Sequence, residues 1–126
     1  KRAVLAFADG RLAGNVIYQP CKDSASFLEV KNLRIHPELR LRDFARFMLR
    51  QVEVENSGKY PAIICDARVD RPELTGFMVR MGYEPLIQVP LYDSTTSDVV
   101  LIKFLGKSDR AGLIKTARNI SLEKAV

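Results

Sequence analysis

At 126 residues the chain is long enough for one domain with one core, and 47% hydrophobic and 28% charged residues mark it as globular rather than disordered. No apolar run approaches the roughly 18 residues that cross a bilayer, and two cysteines with one histidine make neither a disulfide scaffold nor a zinc site. The formal charge of +5 suits an anionic ligand, either a nucleotide-like cofactor or nucleic acid, as well as it suits a plainly solvated surface.

Cys65 ends the apolar run Ile63-Ile64-Cys65, where a buried free thiol is expected, so the compartment reads as reducing and cytoplasmic. The chain opens on Lys1-Arg2 and enters a strand with no signal peptide. It lacks an initiator Met, which leaves room for an upstream segment or an additional domain.

The expected elements follow in chain order. Arg2 to Phe7 is a strand, Asp9-Gly10 is a hairpin turn, and Leu12 to Gln19 is the returning strand. Phe27 to Ile35 alternates, with Phe27, Glu29, Lys31 and Leu33 on one face and Leu28, Val30, Asn32 and Arg34 on the other. Pro37 stops it. Ala45, Met48, Leu49 and Val52 then mark the apolar face of a helix, with Arg46, Arg50 and Glu53 opposite and Asn56-Ser57-Gly58 closing it through a left-handed glycine. Pro61 to Ala67 reads as a central strand covered on both faces. Asp70-Arg71-Pro72-Glu73 opens a second helix, with Asp70 as its cap; Leu74, Phe77, Met78 and Met81 form its stripe, and Gly82 ends it. Glu84 to Tyr92 and Val99 to Leu105 form a hairpin around the loop Asp93 to Asp98. The tail from Gly106 to Val126 holds one helix, capped by Ser108-Asp109, with Leu113, Ile114 and Ala117 on one face. It either docks on the sheet or leads elsewhere. Residues 1–105 thus form an α/β (α+β) core, a mixed and mostly antiparallel sheet around a central strand-helix-strand unit, and 106–126 form a tail or linker helix.

The stretch from Leu33 to Leu49 carries the chemistry. A strand ends, an arginine-rich turn follows, and a helix begins with unpaired amides and a positive dipole end. A phosphate or pyrophosphate is the natural occupant, with Arg40, Arg42 and Arg46 around it; the same arginines could equally solvate a helix face. A nucleic-acid reader built on Arg40, Arg42, Arg46 and Arg50 ranks last, because no aromatics interleave with them and no reader motif matches.

The run from Leu33 through Arg40-Leu41-Arg42-Asp43-Phe44-Ala45-Arg46 to Leu49 resembles the acetyl-CoA motif of the GNAT N-acetyltransferase superfamily. There an Arg/Gln-x-x-Gly-x-Gly/Ala loop follows a strand; Arg40 matches its first position and Ala45 its last. Gly76 to Glu84, ending Met81-Gly82-Tyr83-Glu84, resembles the family's late helix and its Gly-aromatic-acid end. The resemblance spans roughly Arg2 to Leu105. It implies acetyl-CoA as cofactor, with pyrophosphate on the amides of Arg40, Leu41, Arg42, Asp43, Phe44 and Ala45 beside Arg46. It also implies pantetheine along the backbone of Leu33, Arg34 and Ile35, and direct attack on the thioester by a small-molecule or protein amine. The family's first helices, which help to form the acceptor pocket, have no counterpart in this sequence.

Two positions depart from the pattern. Asp43 replaces a glycine and brings either negative charge to the pyrophosphate or a side-chain cap to the helix. Met78 replaces a tyrosine that serves as acid, and reads as core. Glu29 is the candidate base, against the alternative of a cross-strand partner for a lysine; Asp66, at the end of the central strand, is the second candidate. His36 reads as a loop residue, and Tyr83 and Tyr92 as packing aromatics. A GNAT-like module without catalysis, serving binding or regulation, is the competing reading.

Overall fold

A computed structural model describes residues 1–36, 43–106 and 109–125. Its elements are β1 (Arg2–Ala8), β2 (Arg11–Pro20), β3 (Phe27–Ile35), α1 (Phe44–Asn56), β4 (Ala62–Arg68), α2 (Pro72–Arg80), β5 (Glu84–Val89), β6 (Asp98–Phe104) and α3 (Arg110–Lys124). The strands form one six-stranded sheet in the order β1-β2-β3-β4-β6-β5. The pairs are antiparallel except β3 with β4, which run parallel because α1 crosses between them. The mixed, mostly antiparallel sheet expected from the sequence is therefore the one observed. The first hairpin turns on Asp9 and Gly10, both with positive φ (51° and 77°). β5 stops at Val89, short of the expected Tyr92, because Pro90 has no N–H to continue the ladder.

The sheet is covered on both faces. On one, α1 and α2 lay Met48, Leu49, Val52 and Met78 against Val16, Leu28, Val30, Ile63 and Leu101. On the other, the tail helix α3 lays Ala117 and Ile120 against Phe27, Ala62, Ile64 and Ile102. So the tail docks on the sheet.

Four local expectations need correction. Glu53 does not share the outer face of α1; it is buried beside Leu49 and Val52. Its charge is met there by Lys103 Nζ at 2.8 Å, and the Tyr83 hydroxyl donates to it at 3.2 Å. α1 ends without a left-handed glycine: Gly58 is absent from the positive-φ positions, and the amides of Lys59 and Tyr60 bond back to the Asn56 carbonyl. Asp70 does not cap α2, whose N-cap is Arg71; its carboxylate takes two hydrogen bonds from Arg68 instead. Leu33 leaves the face of Phe27 and Glu29 and packs with Ile35 on the α1 side.

A bulge explains Leu33. From Asn15 to Ile17 β2 advances two residues, while their partners on β3, Arg34 and Lys31, are three apart. The extra residue reverses the alternation beyond it and bends the strand.

Candidate active site

β3 and β4 pair from Phe27↔Ala62 to Val30↔Cys65 and no further, although β3 continues to Ile35 and β4 to Arg68. The sheet forks there, and the bulge lies on β3 just past the last pair. Among the described residues no strand pairs with the side of β3 that faced β4 from Lys31 to Ile35, which leaves its backbone groups to other partners. Gly14 of β2 keeps this segment close, since a Cβ there would collide with the Arg34 carbonyl and Ile35.

On the α3 face the fork opens into a cavity of about 100 Å³, lined among others by Glu29, Lys31, Asp66, Tyr92 and Lys124. Asp66 is the first β4 residue past the last β3 pair; on its other side it pairs with Val100. The Tyr92 hydroxyl donates to its Oδ2 at 3.0 Å. Burial pushes the Asp66 carboxyl pKa up, and the Tyr92 hydrogen bond and the Lys31 charge only partly oppose it. Loss of solvent around the Tyr92 hydroxyl and the Asp66 charge raise the Tyr92 pKa in turn, so the phenol stays a donor. Tyr92 is exposed and bonded at the site, not the packing aromatic that the sequence suggested. The loop behind it is fixed by Asp93, whose Oδ1 accepts from the Thr95 and Thr96 amides at 2.8 Å each.

Glu29 reaches the same cavity but in a different state. It is buried, with Lys31 Nζ at 3.1 Å and Lys124 Nζ at 3.3 Å. Burial pushes its carboxyl up, but hydrogen bonds from Cys21 and Lys31 and the two lysine charges outweigh this and hold it below the ordinary glutamate value. Its lysine partners lie two residues on in its own strand and on α3, rather than across the ladder.

On the opposite side of the fork, α1 begins at Phe44. Asp43 takes a left-handed conformation (φ 64°, ψ 5°), the backbone state that a glycine adopts freely. Its side chain makes no cap; it turns to Arg46, 3.5 Å away. Phe44 and Ala45 are half-buried, and Arg46 is exposed over the Phe47 ring. Among the described residues no side chain caps the first turn of α1, whose amides carry the positive end of the helix dipole. Arg40, Leu41 and Arg42, which the sequence assigned to the same turn, lie outside the described residues, as does Pro37.

Solved structures superpose closely. A protein from Desulfovibrio desulfuricans named as a GNAT-family acetyltransferase matches with a TM-score of 0.75 at 14% identity, over 82% of this chain and 68% of its own. An aminoglycoside 6'-N-acetyltransferase solved with coenzyme A matches at 0.70 and 16%, over 85% and 74%. The yncA protein of Salmonella typhimurium, solved with acetyl-CoA, matches at 0.74 and 10%, over 85% and 66%. The fold is that of the GNAT acetyltransferases. No family model and no curated relative matches the sequence.

Within this GNAT fold the remaining candidates fall into place. Met78 is buried in the core, and Tyr83 is buried with its hydroxyl on Glu53. His36 is exposed, its backbone N–H bonded to the Ala13 carbonyl at 2.7 Å. Cys65 is a buried free thiol whose pKa burial drives up. No described helix is long and apolar enough to cross a membrane. Two participants were missed from sequence: Tyr92 as a site residue, and Lys124, whose approach to Glu29 spans 95 positions. No local signal could have shown the second.

Proposed function

We propose that this protein is an acyl-CoA-dependent N-acetyltransferase that moves an acetyl group from acetyl-CoA to a primary amine by direct attack. The observation that carries the reading is the fork, with unpaired β3 backbone and open α1 amides on one side and a carboxylate with raised pKa on the other. Leu33, Arg34 and Ile35 would pair the pantetheine arm through their backbone. Asp43, Phe44 and Ala45 would offer amides to the pyrophosphate, with Arg46 nearby and Arg40, Leu41 and Arg42 completing the turn. Bound acetyl-CoA supplies the activated acyl group.

Asp66 acts as the base in this reading. Tyr92 occupies Oδ2 and fixes the carboxylate, leaving Oδ1 for the incoming ammonium. Glu29, the first candidate from sequence, is held ionised by its lysines and serves better to attract a cationic acceptor than to take its proton. Met78 cannot protonate a leaving thiolate, so that proton would come from water. The acceptor is a small-molecule or protein amine.

The charge of Asp43 favours the second reading, a GNAT-like module that does not catalyse. Calorimetric titration with acetyl-CoA separates the two. Micromolar binding is expected, tightened about two- to five-fold in Asp43→Gly, because the backbone is already glycine-like and one repulsive charge is removed. Absence of binding in both proteins at millimolar acetyl-CoA sinks the acetyltransferase reading.

A further inference from the structure

The tail helix brings a primary amine of the chain itself to the fork. Lys124, the last residue of α3, lines the cavity with Asp66 and Tyr92. Its Nζ lies 3.3 Å from Glu29 Oε1 and 3.1 Å from Asp23 Oδ2. It is held in place, because Ala117, Ile120 and Ser121 anchor α3 in buried positions on the sheet. Glu29 already has Lys31 as a partner, so a second cation is not required to neutralise it. Lys31 lines the same cavity from β3, whereas Lys124 enters it from a separate element, so a change at its amine reaches α3.

We infer that Lys124 is an internal acceptor, acetylated in cis by acetyl-CoA bound at this same fork; the inference rests on the acetyltransferase reading. The Nζ–C bond forms to the acetyl carbonyl carbon and the C–S bond of the thioester breaks. The ammonium gives one proton to solvent before attack and a second as the amide forms, and the thiolate takes a proton from water. An acetylated lysine carries no charge, so both ion pairs of Lys124 are lost and the end of α3 is released from Asp23 and Glu29. The first transfer would thus clear the acceptor side for an external amine.

The test incubates the protein with saturating acetyl-labelled acetyl-CoA and maps the label by peptide mass. Lys124 should be labelled roughly ten-fold or more faster than any other lysine, at a rate independent of protein concentration, as a positioned intramolecular acceptor requires. Lys124→Arg should abolish that label. If calorimetry shows acetyl-CoA bound while Lys124 stays unlabelled, or is labelled no faster than the other lysines, the inference fails and the acetyltransferase reading stands. If acetyl-CoA does not bind, both fall. A cofactor-free readout accompanies this: amide hydrogen exchange over residues 117–125 should quicken in Lys124→Gln and stay unchanged in Lys124→Arg. Equal exchange in the two variants overturns the release of α3.

Discussion

Asp66 and Glu29 are two carboxylates on one cavity whose surroundings push them in opposite directions. Burial lifts Asp66 with little cationic support, whereas Glu29 is flanked by Lys31 and Lys124. A base needs a proton affinity near that of its task, so the proposed division of labour would follow from solvation and neighbours rather than residue type. Asp66→Asn should lower turnover by about 10²–10⁴-fold with acetyl-CoA affinity unchanged. The acidic limb of the kcat/KM profile should lie above the ordinary aspartate value, since Asp66 accepts a proton only when ionised and burial raises its pKa. The limb should vanish in the variant. An Asn variant that keeps most of its turnover would place the base elsewhere.

At the scale of elements the bulge in β3 decides the most. It bends the strand beyond its last pair with β4, turns Leu33 into the core, and leaves the backbone of Lys31 to Ile35 beside the fork. Gly14 lets β2 follow that bend. Gly14→Ala should therefore cost about 1–3 kcal/mol, because the added methyl meets backbone that must shift, and urea denaturation would measure it. The helices were legible in the sequence because their stripes repeat within a turn or two: Met48, Leu49 and Val52 are buried as their spacing requires. The bulge was not legible, since it depends on which β2 residue faces which β3 residue. Glu53 was misplaced for a similar reason. Its spacing from Leu49 allows the buried face, but its charge argued against burial until Lys103, fifty positions on, was brought to it. The parting of β3 from β4 was legible from the family pattern, while the second lysine on Glu29, Lys124, came only with the docking of α3.

For the molecule as a whole, Glu29 ties two layers together, joining β3 to α3 through Lys124. Its depressed pKa makes that tie pH-dependent with a definite sign. The stabilisation is fully present above the unfolded value near 4.5 and is lost as pH falls through the lower folded value. Glu29→Gln should cost about 1–2 kcal/mol at neutral pH, and the difference from wild type should shrink towards zero on acidification, as denaturant melts across pH would show. A constant difference at every pH would mean that packing, not charge, is what the substitution removes.

The order of strands also has a temporal meaning. β6 lies between β4 and β5, so the last of the described strands enters the middle of the sheet after β5 has been made. Until Phe104 has emerged, β4 has only its four paired positions with β3, and the apolar Ile63-Ile64 segment presents an open edge. The meander of β1 to β3 closes through contacts near in sequence, whereas the fork waits for a long loop to close. A chain halted before Phe104 would therefore leave β4 as an open apolar edge, which insertion of β6 covers.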